Sequence, residues 1–265
     1  MKDLKNKIVW ITGASSGIGE ALAYALAKEG AHLVLTARNK SRLKEVAAIC
    51  LQHTKQCDVF EADLFDIDKF DDLVDRVIKR VDRIDLLINN AGMSQRSLVK
   101  DTPLQNDRKI MELNFFSVVA LTKLVLPYMI QQQSGHIVVT SSIVGKFGFP
   151  LRSAYAASKH ALQGFFESLS AELHKDNINV TIVSPGRIQT NISKHALLSD
   201  GSANGVMDPG QETGMPSDKC ADQILKAIKK NKKDILVGQK ELLMVYIRRF
   251  VPFMYRIMTN KIDHK

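Results

Sequence analysis

The chain contains 265 residues, of which 45% are hydrophobic and 25% are charged, and its formal net charge is +9 at pH 7. This length suits one large α/β domain with a substantial core, and the composition is that of an ordinary globular protein. Its three cysteines have no CxxC spacing and are too few for a disulfide framework, which favours a reducing compartment.

The excess of positive charge leaves three kinds of partner open: nucleic acid, an anionic membrane surface and an anionic ligand. We expect no nucleic-acid partner and no metal site, because the sequence has neither zinc-ligand spacing nor an aromatic RNA-binding signature. Residues 1–7 lack the apolar core of a signal peptide, and we expect no stretch to be long and apolar enough to span a bilayer. These features predict a cytoplasmic protein.

The first predicted elements are a strand, a glycine-rich turn and a helix. The apolar run at residues 7–12 predicts a buried parallel strand, and a helical pattern covers residues 20–29. A turn between such elements directs free N–H groups and the helix dipole at an anion, and glycines let the backbone approach a pyrophosphate. We therefore prefer phosphate binding to the alternative of a tight turn that binds nothing.

The second predicted strand, residues 31–37, is followed by basic residues. An NAD site usually has an acid about 20 residues after the glycine turn, where it holds the ribose 2′-OH. No acid occurs in residues 31–44, where Arg38, Lys40 and Arg42 are found instead. A guanidinium suits a 2′-phosphate, so this pattern favours NADP over NAD. The alternative is a basic helix start on a solvated surface.

Strand and helix patterns continue to alternate along the chain. This alternation predicts one parallel, doubly wound sheet with right-handed crossovers, whose ligands lie beyond the carboxyl ends of the strands. The remaining strands are expected at residues 56–62, 85–92 (including a turn), 136–140, 178–184 and, at an edge, 234–238; the remaining helices are expected at 40–51, 67–81, 104–131, 153–175 and 218–230.

A proton-transfer site is predicted in residues 142–159. Tyr155 and Lys159 are four residues apart in a helix-favouring run and therefore share one helix face. A cation beside a phenol favours its ionised form, and Ser142, which follows the fifth strand, is placed to reach the same cleft. A hydroxyl, a tuned phenol and a lysine suit proton transfer to a carbonyl oxygen. The spacing alone is a weak signal, because Tyr24 and Lys28 repeat it.

Two later segments are less regular. Residues 187–217 are rich in Gly and Pro and predict a mobile lid over the substrate. The tail, residues 241–265, interleaves apolar residues with arginines, and Pro252 should kink or split its helix. This tail favours either peripheral membrane contact or a helical hairpin packed on a partner subunit or on the substrate cleft. The predicted domain division is 1–240 and 241–265.

Together these motifs resemble the short-chain dehydrogenase/reductase family over nearly the whole chain. Its TGxxxGxG motif is matched by residues 12–19, NNAG by 89–92, YxxxK by 155–159 and PG by 185–186. The resemblance implies a single-domain, Rossmann-like sheet of about seven strands flanked by helices, with a C-terminal helical tail. It also implies an oxidoreductase that interconverts a carbonyl and an alcohol with NADP(H), because Arg38 matches the NADP-preferring subgroup.

The resemblance further implies the site residues and a homodimer or homotetramer, with the helices that contain Asn114 and Tyr155 at the interface. The implied catalytic residues are Asn114, Ser142, Tyr155 and Lys159. The implied cofactor-binding residues are Gly13, Ser15, Ser16, Gly17, Ile18, Gly19, Arg38, Asp63, Leu64, Asn90, Ala91, Gly92, Tyr155, Lys159, Pro185, Gly186, Ile188 and Thr190. On residues alone, Asn114 is either a satisfied core polar residue or a functional one.

The substrate pocket is expected to favour a lipophilic carbonyl or alcohol, although core packing explains its aromatic residues nearly as well. Its expected lining is Ser94, Gln95, Arg96, Ser142, Phe147, Phe149 and Tyr155, with Leu151 and the lid. Residues 190–193, 200–202 and 205–208 and the basic tail resemble the member 7B branch of the family, which is associated with lipid-type ketones. This sequence lacks that branch's N-terminal membrane segment, so we expect no tight anchoring.

Two other function classes stay open: an NADPH-binding sensor or scaffold without efficient turnover, and a peripheral membrane adaptor that acts through the tail. The set Asn114, Ser142, Tyr155 and Lys159 argues against the sensor, because a protein that only binds has no use for proton-transfer groups.

Overall fold

The computed structural model describes residues 2–261, so residues 262–265 of the predicted tail lie outside the described residues. Parallel strands form one sheet, which confirms the predicted fold class. The strands are β1 (Ile8–Thr12), β2 (His32–Ala37), β3 (Cys57–Glu61), β4 (Leu86–Asn89), β5 (Gly135–Thr140), β6 (Ile178–Pro185) and β7 (Asp234–Val237). Their order in this 7-stranded sheet is β3-β2-β1-β4-β5-β6-β7, which places β7 at an edge, as predicted.

Helices cover both faces of the sheet. The helices are α1 (Gly17–Lys28), α2 (Lys40–Cys50), α3 (Phe70–Val81), α4 (Leu104–Met111), α5 (Ser117–Gln131), α6 (Ser153–Glu172), α7 (Pro209–Glu212), α8 (Ser217–Lys229), α9 (Leu243–Phe250) and α10 (Pro252–Asn260). Buried residues of α1, α2 and α8 form a core on one face, and those of α3, α5 and α6 form a core on the other.

The central strand β1 shows why both faces need a helical cover. Val9 and Ile11 belong to one core and Ile8 and Trp10 to the other, as the alternation of side chains along a strand requires. Every residue of β1 is buried, so its apolar run is continuous rather than alternating with polar residues. β1 pairs with β2 on one side and with β4 on the other. The chain order reverses between β1 and β4, and a crevice opens there at the carboxyl ends of the strands.

The long predicted helix at residues 104–131 is present but is interrupted. A π-helical turn, Glu112–Phe116, joins α4 to α5, and Pro127 lies inside α5 without ending it. By length and composition alone, Leu104–Gln131 is long and apolar enough to cross a membrane, so our expectation of no such stretch is wrong. The apolar residues Val118, Leu121 and Val125 of this segment pack into the core beside the sheet, which is why a run this apolar occurs here.

Other helix ends differ from the predicted ones by short 3₁₀ turns. Ile67–Lys69 is a 3₁₀ turn that precedes α3, and Leu173–Lys175 is a 3₁₀ turn that follows α6. Helix α1 begins at Gly17, three residues earlier than predicted, because the glycine turn itself leads into the first helical turn.

Hydrogen bonds tie the predicted lid, residues 187–217, to the rest of the fold. The amide of Leu197 donates to the carbonyl oxygen of Ser94 at 2.9 Å, and the amide of Arg96 donates back to Leu197 at 2.9 Å. The base of the lid is closed by the Met215 amide, which donates to the Arg187 carbonyl oxygen at 2.8 Å. The lid therefore has a defined position next to the loop that follows β4.

The tail folds back on the body of the protein. Helices α9 and α10 meet at Val251, so Pro252 splits the tail into two helices, as predicted. Leu242, Met244 and Val245 pack against a small core formed by residues 143–147 and α6. The inner side of the tail therefore packs against the body of its own chain.

Candidate active site

One large cavity of about 560 Å³ lies beyond the carboxyl ends of the central strands. One part of its lining, which we call the glycine end, comes from the turns after β1, β2 and β3: Gly13, Ser15, Ser16, Gly17, Ile18, Arg38, Asp63 and Leu64. The opposite part, the tyrosine end, contains Ser142, Tyr155 and Lys159. The cavity thus brings the predicted phosphate-binding turn and the predicted proton-transfer groups into one continuous space.

The glycine end fits a phosphate group. Gly13 and Gly17 have φ angles of +66° and +59°, which side chains other than glycine rarely adopt. A Cβ atom on Gly13 would lie 2.8 Å from the Ala91 Cα, so the turn after β1 packs closely on the turn after β4. Ser16 precedes α1 in an extended conformation and its side chain makes no capping hydrogen bond. The first N–H groups of a 12-residue helix therefore face the cavity and are available to an anion.

Three basic side chains follow β2, and they differ in whether a carboxylate pairs with them. Lys40 lies 3.4 Å from a Glu61 carboxylate oxygen, and Arg42 pairs with Glu20 at 3.3 Å. Within residues 2–261, no carboxylate lies within ion-pair distance of Arg38, which lines the cavity. Arg38 is therefore the guanidinium in this group that is available to an anionic part of a cofactor.

Asn90 holds three turns together at the crevice. Its side-chain amide donates to the Thr12 carbonyl oxygen at 3.2 Å and to that of Gly13 at 3.4 Å. Its side-chain oxygen accepts a hydrogen bond of 3.4 Å from the Thr140 hydroxyl. Asn90 thus joins the turns after β1, β4 and β5, and Ala91 and Gly92 continue along the cavity wall.

The loop after β6 forms another wall of the cavity, which includes Pro185, Gly186, Ile188 and Thr190. The carboxylate of Glu241, at the start of the tail, accepts hydrogen bonds from the Arg187 amide at 2.8 Å and the Gln239 amide at 3.1 Å. The tail therefore fixes the backbone of this loop, a contact that no local sequence pattern indicated.

The tyrosine end contains the predicted proton-transfer groups. Tyr155 is partly buried, and the Lys159 ammonium lies 5.8 Å from the centre of its ring. Lys159 is 3% exposed and donates to the Thr140 carbonyl oxygen at 2.8 Å. The Ser142 hydroxyl donates to the Pro185 carbonyl oxygen at 3.4 Å and accepts from the Val144 amide at 3.3 Å. Ser142, Tyr155 and Lys159 are thus brought together from β5 and α6.

Burial dominates the electrostatics of both titratable groups. Burial raises the pKa of the Tyr155 phenol above its ordinary value, while the Ser142 hydroxyl and the guanidiniums of Arg152 and Arg96 act in the opposite direction. Burial lowers the pKa of Lys159 to about 8. The phenol is therefore protonated at neutral pH, and the lysine loses its charge at a pH where the phenol keeps its proton.

Asn114 lies in the π-helical turn, is fully buried, and connects the loop after β4 to α6. Its side-chain oxygen accepts from the Met93 amide at 2.8 Å, and its amide nitrogen donates to the Met93 carbonyl oxygen at 2.9 Å and to the Ser158 hydroxyl at 3.0 Å. All of its side-chain polar atoms therefore have protein partners. A Cβ atom on Gly92 would lie 3.1 Å from the Asn114 side-chain oxygen and 3.5 Å from the Lys159 nitrogen, so the three residues meet closely.

Two of the predicted substrate residues, Ser94 and Gln95, are buried behind the tyrosine end. The Gln95 side-chain oxygen accepts hydrogen bonds from the backbone amides of Ala154, at 2.9 Å, and Tyr155, at 3.4 Å, at the start of α6. The Ser94 hydroxyl accepts a hydrogen bond of 3.0 Å from Arg96. Gln95 thereby positions the first turn of the helix that carries Tyr155.

The predicted pair Phe147 and Phe149 belongs to the small core under the tail. Phe147 is 3% exposed, and the centre of its ring lies 5.7 Å from that of Tyr255. The Arg152 guanidinium carbon lies over the Phe149 ring, 5.0 Å from the centre of that ring. These two side chains thus support the side of the tyrosine end to which the tail is attached.

Arg96 belongs to a charged cluster that also contains Arg152 and Asp208. The Asp208 carboxylate, in the lid, accepts hydrogen bonds from both guanidiniums: 3.2 Å separates the Arg96 Nε and the carboxylate, and 2.8 Å separates the Arg152 Nη2 and the carboxylate. Burial alone would raise the pKa of Asp208, but Arg96 and Arg152 outweigh it and hold that pKa below its ordinary value. Burial and Arg96 lower the pKa of Arg152 to about 10, so Arg152 is charged at neutral pH.

Sequence reasoning missed Arg152, Asp208 and Glu241. Arg152 precedes Tyr155 by three residues in the same run, and a basic residue this close to a predicted phenol was a usable signal. Asp208 and Glu241 are isolated acids in irregular or apolar segments, and their partners are far away in the chain.

Residues 7–199 match the family model described as short chain dehydrogenase. The chain is 42% identical over 264 residues to the mouse (Mus musculus) protein "Dehydrogenase/reductase SDR family member 7B", a match that covers 97% of this chain and 82% of the relative.

Two solved structures have the same fold. A short chain dehydrogenase/reductase from Burkholderia phymatum in complex with NAD superposes with a TM-score of 0.85 over 99% of both chains, at 22% identity. A metagenomic short-chain oxidoreductase in complex with NADP superposes with a TM-score of 0.73 at 26% identity, over 88% of this chain and 97% of that one.

Proposed function

The chain belongs to the short-chain dehydrogenase family, and on this premise we propose that it uses NADP(H) to interconvert a ketone or aldehyde and an alcohol. Family membership makes the chain an oxidoreductase, and its resemblance to the member 7B branch is confirmed by the identity with the mouse protein. The observation that carries the proposal is the single cavity that joins an anion-binding glycine turn to Ser142, Tyr155 and Lys159.

The residues of the glycine end fit nicotinamide adenine dinucleotide phosphate. The uncapped start of α1 would bind the pyrophosphate, and Arg38 would bind the ribose 2′-phosphate, because its guanidinium has no carboxylate partner within residues 2–261. Asp63 and Leu64 line the cavity beside Arg38 and would contact the adenine. When bound, the cofactor supplies the hydride that the carbonyl carbon accepts.

The tyrosine end would handle the oxygen atom and the proton. The Ser142 hydroxyl would hold the carbonyl oxygen, and Tyr155 would donate its proton to that oxygen as negative charge develops there. The raised pKa of Tyr155 suits the reductive direction, because the phenol starts with its proton at neutral pH. In the reverse direction the phenolate would accept the proton from the alcohol.

Lys159 and Asn114 would connect Tyr155 to solvent. The Lys159 ammonium lies close to the Tyr155 ring, where its positive charge would stabilise the phenolate after proton transfer and its N–H groups would hold the nicotinamide ribose. Because the side-chain polar atoms of Asn114 already have protein partners, a relay water would bind its main-chain carbonyl oxygen in the π-helical turn.

We also propose a lipophilic substrate, with the lid at 187–217 covering it and residues 1–240 forming the catalytic domain. The lid contributes Ile192, Leu197 and Ala203 to the cavity wall, and these apolar side chains favour an apolar substrate.

Copies of the chain would associate as a homodimer or homotetramer through the α4–α5 and α6 faces, where Leu104 and Phe116 are exposed. The free thiols of Cys50, Cys57 and Cys220 support a cytoplasmic location.

The test is NADPH oxidation by the purified chain over ketones that range from small and polar to long-chain. Replacing Tyr155 with Phe removes the proton donor and should lower turnover by about 100- to 10,000-fold, while NADPH binding survives. Tyr24→Phe is the matched control, because Tyr24 has the same spacing from a lysine but bonds Glu20 at 2.7 Å outside the cavity lining.

Each outcome of this test decides something. Retained turnover in Tyr155→Phe would contradict the assignment of the proton donor. A preference for small polar ketones would contradict the lipophilic substrate. Tight NADPH binding without turnover of any ketone would favour the second candidate function, an NADPH-binding sensor or scaffold, for which the intact cofactor cradle is the supporting observation.

A further inference from the structure

The two tail helices present an apolar face to solvent. Half of the large hydrophobic side chains that residues 2–261 expose lie in this short segment. We call them the outer face: Leu243, Tyr246, Phe250, Phe253, Met254, Ile257 and Met258. The most exposed of them, Phe250 at 75% and Phe253 at 63%, flank the junction at Pro252. The outer face is therefore a concentrated apolar surface with an aromatic pair at the junction of the two helices.

The opposite side of the same helices is already occupied. Tyr255 donates a hydrogen bond from its hydroxyl to the Gly148 carbonyl oxygen, and its ring packs on Phe147. Met244 and Val245 pack on the same small core. The tail is thus fixed to the body by its inner side. The outer face is exposed even though the tail is packed.

Apart from Glu241, the charged side chains of residues 241–261 are basic. Arg248, Arg249 and Arg256 are exposed, and Glu241 is the acidic residue of the stretch 241–261. Glu241 accepts hydrogen bonds from backbone amides at the start of the tail. Within residues 2–261, no carboxylate lies within ion-pair distance of Arg249 or Arg256. The tail therefore combines exposed apolar side chains with unpaired positive charge.

This combination selects between the surfaces that could cover the outer face. A second copy of the chain would bring like-charged arginines together, which opposes association. An anionic lipid bilayer offers both an apolar layer and a negative surface, and short helices with aromatic and basic residues lie in such an interface. We propose that the outer face of the tail docks on an anionic bilayer surface, with Phe250 and Phe253 inserted at the boundary of the acyl chains.

Docking in this orientation brings the tyrosine end towards the membrane. The inner side of the tail belongs to the same small core as Tyr155, so the reacting groups lie behind the docked helices. The docking proposal goes beyond the proposed oxidoreductase function, because vesicle binding requires neither cofactor nor ketone. A failure of docking and a failure of the enzyme assignment can therefore be told apart.

The experiment is co-sedimentation of the full chain with lipid vesicles. Vesicles of phosphatidylserine and phosphatidylcholine in equal parts should bind the protein, and vesicles of phosphatidylcholine alone should bind it more weakly. High salt should reduce binding to the anionic vesicles, because it screens the exposed arginines. Replacing Arg249 and Arg256 together with glutamine should weaken the binding by about fivefold per arginine.

Aromatic variants locate the contact. Phe250→Ser combined with Phe253→Ser should weaken vesicle binding by roughly tenfold or more, because both rings lose their apolar contact. The matched control is Val99→Ser combined with Val206→Ser, since these residues are 72% and 68% exposed but lie outside the tail. The control should bind like the unchanged protein, and both variants should keep its melting temperature.

Three results would overturn the proposal. One is the absence of binding to the anionic vesicles. Another is an equal loss of binding in the control variant, because this would place the contact outside the tail. The third is self-association in sedimentation velocity that the Phe250 and Phe253 changes abolish, without vesicle binding, because this would make a second copy the occupant.

Discussion

The glycine end and the tyrosine end of the cavity are held together by different kinds of contact. At the glycine end, residues 13–19 act mainly through backbone groups, and the neighbouring strands β1, β2 and β4 fix them by their ladders. At the tyrosine end, side chains from distant segments meet: Arg96 and Asp208 are 112 residues apart, and Tyr255 and Gly148 are 107 residues apart. Cofactor binding should therefore be separable from substrate turnover, and variants can test that separation.

Among the variants that test this separation beyond Tyr155→Phe, the largest effect is expected at the glycine end, at Arg38. Replacing Arg38 with Ala should weaken NADPH binding by about 10- to 100-fold, because a charge-assisted contact to the 2′-phosphate is lost. NADH lacks that phosphate, so its binding should be unchanged. The measurement is the dissociation constant of each cofactor by fluorescence titration.

Lys40→Ala is the control for Arg38. Lys40 lies two residues further along the chain and pairs with Glu61, so its removal should leave both dissociation constants nearly unchanged. An equal loss of NADH and NADPH binding in Arg38→Ala would contradict the assigned contact, and so would an unchanged preference between the two cofactors.

The next effect concerns pH and belongs to the tyrosine end. The folded-state pKa of Lys159 is lowered to about 8, whereas that of Tyr155 is raised. As pH rises through about 8, Lys159 loses the charge that stabilises the phenolate, while Tyr155 keeps its proton. The value of kcat/KM for ketone reduction should therefore fall by about tenfold per pH unit above that point. A pH–rate profile with NADPH and one ketone measures this fall.

Lys159→Arg separates the two groups. A guanidinium keeps its charge throughout this range, so the variant should be less active but should show no fall near pH 8. An unchanged falling limb would assign that limb to another group. NADPH binding measured at each pH shows whether the fall lies in turnover or in cofactor affinity.

The contrast between the two ends also explains how far the sequence could be interpreted. The sheet, its edge strand and the glycine turn were predictable, because continuous apolar runs and short glycine spacings are local signals. The positions of Tyr155 and Lys159 on one helix were predictable for the same reason. The π-helical turn at Glu112–Phe116 was not, because the hydrogen bonds of Asn114 to Met93 and Ser158 come from other segments.

The substrate side of the site was harder to predict, for a related reason. Ser94, Gln95, Phe147 and Phe149 were expected to line the pocket, and the structure shows them supporting the helix and the tail around it. Whether a polar or aromatic side chain faces a ligand or holds a neighbouring segment depends on packing that no spacing encodes. The tail is the clearest case, since its inner and outer sides have similar apolar composition.

The smallest expected effect tests the lid contact of the tyrosine end. Replacing Asp208 with Asn keeps the shape of the side chain but leaves the guanidiniums of Arg96 and Arg152 without a carboxylate. The partly exposed cluster should lose about 1–2 kcal/mol of stability. The lid should also close less tightly, which would raise the KM for the ketone severalfold. The two arginines would then act on Tyr155 with less opposition, so the pKa of its phenol should fall.

The expected fall in the pKa of Tyr155 distinguishes a positioning role of Asp208 from a purely structural one. A lower pKa of Tyr155 moves the rise of alcohol oxidation with pH to lower pH, because the phenolate forms earlier. Asp200→Asn is the control, since Asp200 lies in the same lid but accepts its hydrogen bonds from Ser202. If Asp208→Asn lowers stability and leaves the pH profile of oxidation in place, then the cluster only holds the lid. If the profile moves in Asp208→Asn and not in Asp200→Asn, then the Asp208 carboxylate raises the pKa of Tyr155, although the two residues are far apart in the chain. The backbone groups of the glycine end have no comparable effect on that pKa.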